Sequence, residues 1–276
     1  MDQKRRNFLK IAGISTLAGL GAGTGLGHLV DGAQSALAAT AAPQGDAAGK
    51  HGSTVPSGRR YGLLIDARKF RENPALGERV VRACHETHNV PRFPEKDKKD
   101  EIKWIWMTHF ENAFPEQPNL YPDQQTAEAE LPILCNHCDN PPCVRVCPTQ
   151  ATFRNQDGII VMDFHRCIGC RFCMAACPYG SRSFNWRDPR PFIDESTKNK
   201  DFPTRTRGVV EKCNFCAERL RQGLQPACVE ACGDTRAMIF GDLNDPDSEL
   251  RQMLRQNHTV QRNPSLGTHP SVFYIL

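Results

Sequence analysis

The sequence reads Cys135-x2-Cys138-x4-Cys143-x3-Cys147-Pro148 and, further on, Cys167-x2-Cys170-x2-Cys173-x3-Cys177-Pro178, two runs of four cysteines that decide the fold. A single Cys-x2-Cys pair fits zinc or a redox dithiol equally well. Two complete runs, each followed by proline, are instead typical of iron–sulfur binding. A glycine between Cys167 and Cys170 lets the backbone turn tightly against an inorganic core. The two runs therefore predict a pair of iron–sulfur clusters, with zinc or disulfides as the alternative.

The second run has the spacing found in bacterial ferredoxins. In that pattern the first three thiolates bind one [4Fe–4S] cluster, and the fourth binds the neighbouring cluster. A third complete run follows nearer the C-terminus and reads Cys213-x2-Cys216-x11-Cys228-x3-Cys232. Four cysteines in this arrangement also fit a zinc ribbon, although the two preceding runs favour a cluster.

The composition limits the classes of protein to which the sequence can belong. It has 276 residues, thirteen cysteines, a formal net charge of +4 and a mean hydropathy of −0.52. The hydropathy argues against a polytopic membrane protein, and the small net charge does not imply nucleic acid as a partner. The sequence shows no glycine-rich phosphate loop and no Ser/His/Asp set that would indicate a catalytic site. We therefore expect the chemistry to lie in the cysteine runs.

The N-terminal 38 residues have the features of an export signal. Arg5-Arg6-Asn7-Phe8-Leu9-Lys10 is a twin-arginine pattern, and Ala36-Leu37-Ala38 is a small-residue cleavage site. A membrane anchor over residues 11–30 is the alternative. We predict a twin-arginine signal peptide over residues 1–38, read by the twin-arginine export machinery, and a flexible linker over residues 39–58. Export after cluster insertion would place the protein in the periplasm.

Periodicity and turn residues predict short strands and helices joined by long loops. The predicted strands cover Tyr61–Asp66 and residues 102–107. Trp104 and Trp106 in the second are expected to pack in the core, with a place beside an electron path as the alternative. An Asp157-Gly158 turn between apolar segments predicts a hairpin over residues 151–163. The remaining expectations are helices over residues 78–85 and 217–224, an amphipathic helix over residues 247–256 and a surface excursion over residues 111–132.

Residues 59–276 resemble the multi-cluster iron–sulfur subunits of bacterial membrane-bound oxidoreductases. The resemblance rests on the cysteine runs, on the strand ending in Ile65-Asp66 and on the context of Cys84, where another four-cysteine run would end. The other three cysteines of that run are missing, because residues 68–74 read Arg-Lys-Phe-Arg-Glu-Asn-Pro. The resemblance implies an α+β fold of tandem ferredoxin-like [4Fe–4S] modules. A central two-cluster module (131–190) would be inserted between the halves of a degenerate second module (59–95 and 205–245).

The resemblance also implies which cysteines share a cluster. Site A would consist of Cys135, Cys138, Cys143 and Cys177, site B of Cys167, Cys170, Cys173 and Cys147, and site C of Cys213, Cys216, Cys228 and Cys84. Three [4Fe–4S] clusters would use all the cysteines except Cys232, which would have served the missing cluster. The rival assignment gives Cys232 to site C and leaves Cys84 over.

Four polar residues near the runs have smaller expected roles. His137 and His165 are expected to form hydrogen bonds or to lie at the surface, because every predicted cluster already has four cysteine ligands. Arg166 and Arg171 are expected to raise the reduction potential of the adjacent cluster through their positive charge.

The resemblance implies an electron-transfer subunit without a catalytic site of its own. Within the family, the sequence is most similar to the exported iron–sulfur subunit of the dissimilatory sulfite-reductase-linked membrane complex (the DsrO type). That branch implies a polytopic quinone-reactive membrane subunit and a multihaem cytochrome subunit as partners. Two alternatives stay open. One is the same kind of subunit in a nitrite, tetrathionate, polysulfide or hydrogen enzyme, and the other is a non-redox exported protein stapled by zinc or disulfides.

Overall fold

The computed structural model describes residues 58–117, 121, 124 and 128–276. The predicted signal peptide (1–38) and nearly all of the predicted linker (39–58) lie outside these residues. The described residues belong to one compact unit. Within the described ranges, no helix combines the length and the apolar character needed to cross a membrane.

Short strands and short helices alternate irregularly along the described residues. The strands are β1 (Tyr61–Asp66), β2 (Ile105–His109), β3 (Glu130–Leu134), β4 (Thr152–Arg154), β5 (Ile160–Met162), β6 (Ser183–Phe184), β7 (Val210–Glu211), β8 (Met238–Asp242) and β9 (Val272–Ile275). The α-helices are α1 (Ala67–Glu72), α2 (Pro74–Thr87), α3 (Phe110–Ala113), α4 (Pro142–Arg145), α5 (Phe172–Ala175), α6 (Ala217–Leu220), α7 (Ala227–Cys232) and α8 (Glu249–Gln256). This mixture confirms the predicted α+β class at the level of helix and strand content.

A three-stranded sheet in the order β8-β1-β9 joins segments from both ends of the described residues. β1 pairs antiparallel with β8 and parallel with β9, where Leu63 lies opposite Val272. Successive side chains of a strand point to opposite faces of the sheet. Leu63 and Ile65 therefore face the main core, and Leu64 faces a smaller core that contains part of α8. The predicted strand Tyr61–Asp66 is confirmed, and it is buried on both faces.

The segment 68–74, where the resemblance places three cysteines, folds as most of α1 and the start of α2. The Asp66 carboxylate accepts a hydrogen bond from the Arg68 N–H and so caps α1. Pro74 lies in the first turn of α2, where its missing N–H costs no helical hydrogen bond. α2 thus begins earlier than the predicted helix over 78–85. The buried face of α2 recurs every fourth residue and ends at Cys84, which points into the core.

β2 and β3 form an antiparallel pair, of which the sequence analysis predicted only one strand. The strand predicted over residues 102–107 begins three residues later, at the start of β2. The prediction of a surface excursion over residues 111–132 is wrong at both ends of that stretch, because Phe114 and Leu131 are buried. Phe114 packs edge-on against Tyr274 of β9 with 5.2 Å between ring centroids, and Leu131 lies on β3 in the main core.

The central module has the predicted hairpin and two short helices. β4 and β5 pair antiparallel around Gly158, whose φ of +75° glycine adopts without strain. α4 and α5 hold the third cysteine of each run, Cys143 and Cys173. β6 pairs with β7 and so connects the central module to the segment before the third run. The α8 helix lies within the predicted range 247–256.

Candidate metal centres

The four thiols of site A line one cavity. They belong to Cys135, Cys138, Cys143 and Cys177. β3 leads into the first of these cysteines, α4 carries the third, and the fourth comes from the second run. Between Cys135 and Cys138, His137 adopts a left-handed conformation with φ of +42°, and the main chain turns at this residue. The structure brings together the set that the resemblance implied.

Site B has the same design with the two runs exchanged. Its cavity is lined by Cys147, Cys167, Cys170 and Cys173. Gly169, in the ligand loop, has φ of +71°, and a Cβ at this position would lie 2.4 Å from the carbonyl oxygen of Gly208. The loop can approach that carbonyl only because the residue is glycine. Each site thus takes its fourth thiol from the other run, as in ferredoxin-type pairs.

Site C joins thiols from distant parts of the sequence within the main core. Burial raises the pKa of the Cys84 thiol well above its usual value, and the thiols of Cys213, Cys216 and Cys228 raise it further. All four thiols are buried. The backbone N–H of Ala227 donates to the Cys216 sulfur at 3.4 Å. The structure therefore groups Cys84 with three thiols of the third run.

The rival ligand, Cys232, has different surroundings. It lies one helical turn beyond Cys228 and donates its S–H to the carbonyl of that residue at 3.3 Å. Burial raises the pKa of Cys232 to about 11, against the opposing charges of Arg79 and Lys69. Phe70 of α1 is buried in the same core. Among the described residues, the Cys232 thiol interacts with the thiol of Cys228, and apolar side chains and the cations of Arg79 and Lys69 lie around it.

The residues at the three sites fit [4Fe–4S] clusters. All thirteen cysteines lie among the described residues, and none of them forms a disulfide. Burial raises the pKa of Cys138 and of Cys228 to about 12, so these thiols keep their protons at neutral pH unless a metal ion displaces them. Asn136 also lines the site A cavity, and its buried side-chain amide has no hydrogen-bond partner among the described residues. A cluster takes four thiolates and accepts hydrogen bonds at its sulfurs.

Two buried cations lie among the thiols, and the sequence analysis did not find them. Arg182 is 5% exposed and Lys212 is 1% exposed. Burial opposes the charge of Arg182, but the thiols of Cys143 in site A and Cys173 in site B hold its pKa above the usual range. Lys212 directly precedes Cys213, and this position was visible in the sequence. Its burial was not, because lysine is almost never fully buried.

A histidine and a carboxylate flank site C and were also missed. His88 stacks on Trp104 with 4.5 Å between ring centroids, and its Nε2 lies 2.9 Å from Glu218 Oε1. Ligand atoms of His88, Glu218 and Cys216 lie within 4.8 Å of one another, so these three residues could also hold a metal ion. The thiols grouped around Cys216 favour a cluster there instead. Trp104 is buried in the core, as predicted, whereas Trp106 is only partly buried against it.

The four polar residues noted beside the runs differ in burial. His137 is buried and accepts a hydrogen bond from the Ile160 N–H at 3.1 Å through Nδ1, whereas His165 is exposed. Both positions match the expected roles in hydrogen bonding or at the surface. Arg166 and Arg171 are exposed. Solvent therefore screens their effect on a nearby cluster.

Comparison with known proteins identifies the same pattern. The sequence matches the family described as "4Fe-4S dicluster domain" over residues 128–190 and 196–243. It is 45% identical over 235 residues to the Hdr-like menaquinol oxidoreductase iron-sulfur subunit 1 of Archaeoglobus fulgidus, which covers 78% of this protein and 83% of that relative. It is 41% identical over 219 residues to the B subunit of the polysulfide reductase of Wolinella succinogenes, a match that covers 79% of this protein and 94% of that relative. It is also 35% identical over 237 residues to the menaquinone reductase iron-sulfur cluster-binding subunit of Nitratidesulfovibrio vulgaris. That match covers 78% of this protein and 88% of the relative.

Proposed function

Because this protein belongs to the family of iron–sulfur electron-transfer subunits of membrane-bound respiratory oxidoreductases, we propose that it passes single electrons through three [4Fe–4S] clusters at sites A, B and C. The observation that carries this proposal is the order of the sites. Burial raises the pKa of Cys213 in site C most, and the nearby thiol of Cys135 in site A raises it next. Arg182 interacts with thiols of sites A and B. Three sites in series, with A in the middle, suit a protein that connects two redox partners.

The protein supplies burial, charge and hydrogen bonds at each site. A bound [4Fe–4S] cluster supplies the chemistry, the uptake and release of one electron at a time. At site C, the backbone N–H groups of Phe215 and Ala227 donate to cysteine sulfurs at 3.4 Å, which stabilises the thiolates. The four thiols of site C are buried and so are kept from water and oxidants, whereas three of the four at site B are partly exposed.

The proposed ligand sets are those that the resemblance implied. We assign Cys84 rather than Cys232 to site C, which gives three clusters and one spare cysteine. The grouping of Cys84 with the thiols of the third run supports this choice. The cations of Lys69 and Arg79 beside Cys232 support it as well, because they replace the further thiols that a fourth cluster would need.

The proposal includes a place and partners for the protein. The twin-arginine pattern in residues 1–38 supports export to the periplasm after cluster insertion. Two of the relatives are named for menaquinol or menaquinone and one for polysulfide, which supports a quinone-reactive membrane subunit as partner and a role in sulfur metabolism. Within the family we favour the sulfite-reductase-linked branch, with a multihaem cytochrome as a further partner. The second candidate is the same subunit in another respiratory enzyme, because relatives of similar identity serve different enzymes.

Iron and acid-labile sulfide analysis of the anaerobically purified protein tests the cluster count. We expect about 12 of each per molecule, from three cubes of four. The brown absorbance near 400 nm should bleach with dithionite. About 16 of each would contradict the loss of the fourth cluster and would point to non-cysteine ligands near residues 68–74. Zinc in place of iron, even after reconstitution, would refute the electron-transfer proposal.

Purification of the intact membrane complex tests the partners. We expect a polytopic quinone-reactive subunit and a multihaem cytochrome to co-purify with the protein from the periplasmic side of the inner membrane. A molybdopterin-containing subunit in place of the cytochrome would favour the second candidate. Recovery of the protein from the cytoplasm alone would contradict the proposed location.

A further inference from the structure

Arg182 and Lys212 are buried cations without a carboxylate partner. Among the described residues, neither forms an ion pair with an aspartate or glutamate. By contrast, the buried guanidinium of Arg205 lies 2.7 Å from the carboxylate of Glu211. Burial disfavours a charge unless an opposite charge is near. The anionic groups that can fill this role for both cations are the thiolates of the predicted sites.

Arg182 is held between sites A and B. Its Nη2 donates to Thr152 Oγ1 at 2.9 Å and its Nη1 donates to the sulfur of Met162 at 3.3 Å, which fixes the guanidinium against the β4–β5 hairpin. The side chain lines the cavity of site A. It also interacts with thiols of both sites, most strongly with Cys143 of site A and Cys173 of site B.

Lys212 is held between sites A and C. Its Nζ donates to the carbonyl oxygens of Ile160 and Cys213, the second at 2.7 Å. Burial lowers the pKa of Lys212, and the thiols of Cys135 in site A and Cys213 in site C oppose that lowering and favour the charged ammonium. It is also close enough to Arg182 for the two cations to repel each other. Site A therefore faces both buried cations, whereas sites B and C each face one.

The other charges near sites B and C differ from those at site A. The Glu218 carboxylate lies within 4.8 Å of the Cys216 sulfur in site C, so an acidic group opposes the effect of Lys212 there. At site B the additional cations, Arg166 and Arg171, are exposed, and Arg166 pairs with Asp163 at 3.2 Å. Water and counter-ions screen exposed charges much more than buried ones.

We propose that Arg182 and Lys212 are fixed positive charges that give site A the highest reduction potential of the three sites. The inference rests on the proposed function, because it requires a cluster at each site. Reduction adds one negative charge at a site, and a buried cation stabilises that charge in surroundings of low polarity. The electron is then held more strongly at the middle of the series than at either end.

An EPR-monitored redox titration of the full-length protein with its clusters tests the inference, with dithionite as the source of electrons. Arg182→Gln removes the charge and keeps a donor for Thr152, whereas Arg182→Lys keeps the charge. In Arg182→Gln we expect the equilibrium constant for one-electron reduction of site A to fall about tenfold, which equals ~59 mV. Arg182→Lys should stay close to the unmodified protein. Lys212→Gln should lower the constant in the same way as Arg182→Gln.

Two further variants make the titration specific. Cys138→Ser changes a ligand of site A alone and so identifies the site A signal. Arg166→Gln removes an exposed, paired arginine beside site B and serves as the matched control, for which we expect a change of less than about twofold, since salt and water screen exposed charges.

Several outcomes would overturn the inference. One is a site A potential below that of site B or C in the unmodified protein, and another is an unchanged site A potential in both glutamine variants. Equal shifts in Arg182→Gln and Arg182→Lys would show that Arg182 only holds the hairpin in place. If Arg182→Gln fails to retain iron at site A, the Lys212→Gln titration decides.

Iron analysis of the same samples separates the two proposals. Full iron with unchanged potentials refutes this inference alone, whereas absence of iron from the unmodified protein refutes the proposed function.

Discussion

The central module (131–190) and the two halves that flank it (59–95 and 205–245) are both built on cysteine runs, but their thiols end up in different surroundings. In the central module, all eight thiols line the cavities of sites A and B. In the flanking halves, four thiols group at site C and the fifth, Cys232, lies beside Lys69 and Arg79. The comparison teaches that the fold does not need cysteines in segment 68–74, where the resemblance would place three of them. This segment forms most of a capped helix, α1, and places Phe70 in the core.

The two regions also differ in exposure, and a buried ion pair joins them. Three thiols of site B are partly exposed, whereas those of site C are all buried. Arg205 and Glu211, both 0% exposed, form the ion pair at 2.7 Å. Glu211 also accepts hydrogen bonds from Trp104 and from Asn185 of the central module, and Arg205 donates to the carbonyl oxygen of His88 just after α2. The pair therefore joins the flanking half 205–245, in which it lies, to the central module through Asn185 and to the other half through His88.

The largest expected effect separates the two candidate ligands of site C. Cys84→Ala should lose about four of about 12 irons per molecule, the content of one cube, because it removes one of the four thiols at site C. Cys232→Ala should keep its full iron, because Cys232 lies with cations and apolar side chains. Iron and sulfide analysis of both variants, purified side by side without oxygen, gives the answer. Iron loss in Cys232→Ala alone would reverse the assignment and remove the contrast between the two regions.

The next effect tests the buried pair that joins the regions. Glu211→Ala leaves the Arg205 guanidinium buried without its counter-charge, and we expect it to cost about 3–5 kcal/mol of stability. For a unit of this size the melting temperature should fall by roughly 10–15 °C. Glu195→Ala is the matched control. It breaks an exposed pair with Lys198 and should change stability by less than about 1 kcal/mol. Similar melting curves for the two variants, recorded at one scan rate, would show that the pair is not what joins the regions.

Local sequence signals explain which parts of the molecule could be predicted. The cysteine spacings implied the groups of thiols that line the cavities of sites A and B, because a ferredoxin-type run encodes its ligands within a short loop. The hairpin of β4 and β5 followed from the Asp157-Gly158 turn, and β1 followed from its apolar residues. These features depend on neighbours within a few positions along the sequence, except for the fourth thiol of each site, which comes from the other run as the ferredoxin pattern implied.

The unpredicted parts depend on contacts between distant segments. The hydrogen bond from Arg205 to the His88 carbonyl joins residues 117 positions apart, and no local pattern signals it. Arg182 and Lys212 are charged residues that ordinarily lie at the surface, so their burial follows only from the arrangement of the three sites. β9 was missed as a strand because its partner, β1, lies at the other end of the described residues.

A smaller effect tests the contact between the site B loop and the segment before the third run. Gly169→Ala would place a Cβ 2.4 Å from the Gly208 carbonyl oxygen and would also strain a left-handed backbone. We expect a loss of about 2–4 kcal/mol from overpacking and backbone strain together. Gly180→Ala is the control, because it has a similar φ of +63° but open space around the position, and it should lose only about 1–2 kcal/mol. Equal melting temperatures for the two variants would show that the loop has room to move away from Gly208.

The smallest effect concerns rates alone and sharpens the contrast in exposure. Under air-free conditions, a strong iron chelator should remove the iron of site B first and that of site C last, because a chelator reaches partly exposed thiolates more readily than buried ones. Iron release should therefore show a fast phase and a slow phase. Cys170→Ala, which alters site B, should lack the fast phase, and Cys216→Ala, which alters site C, should lack the slow one. Loss of the fast phase in Cys216→Ala instead would mean that opening of the flanking halves, and not exposure in the closed structure, controls access to the iron.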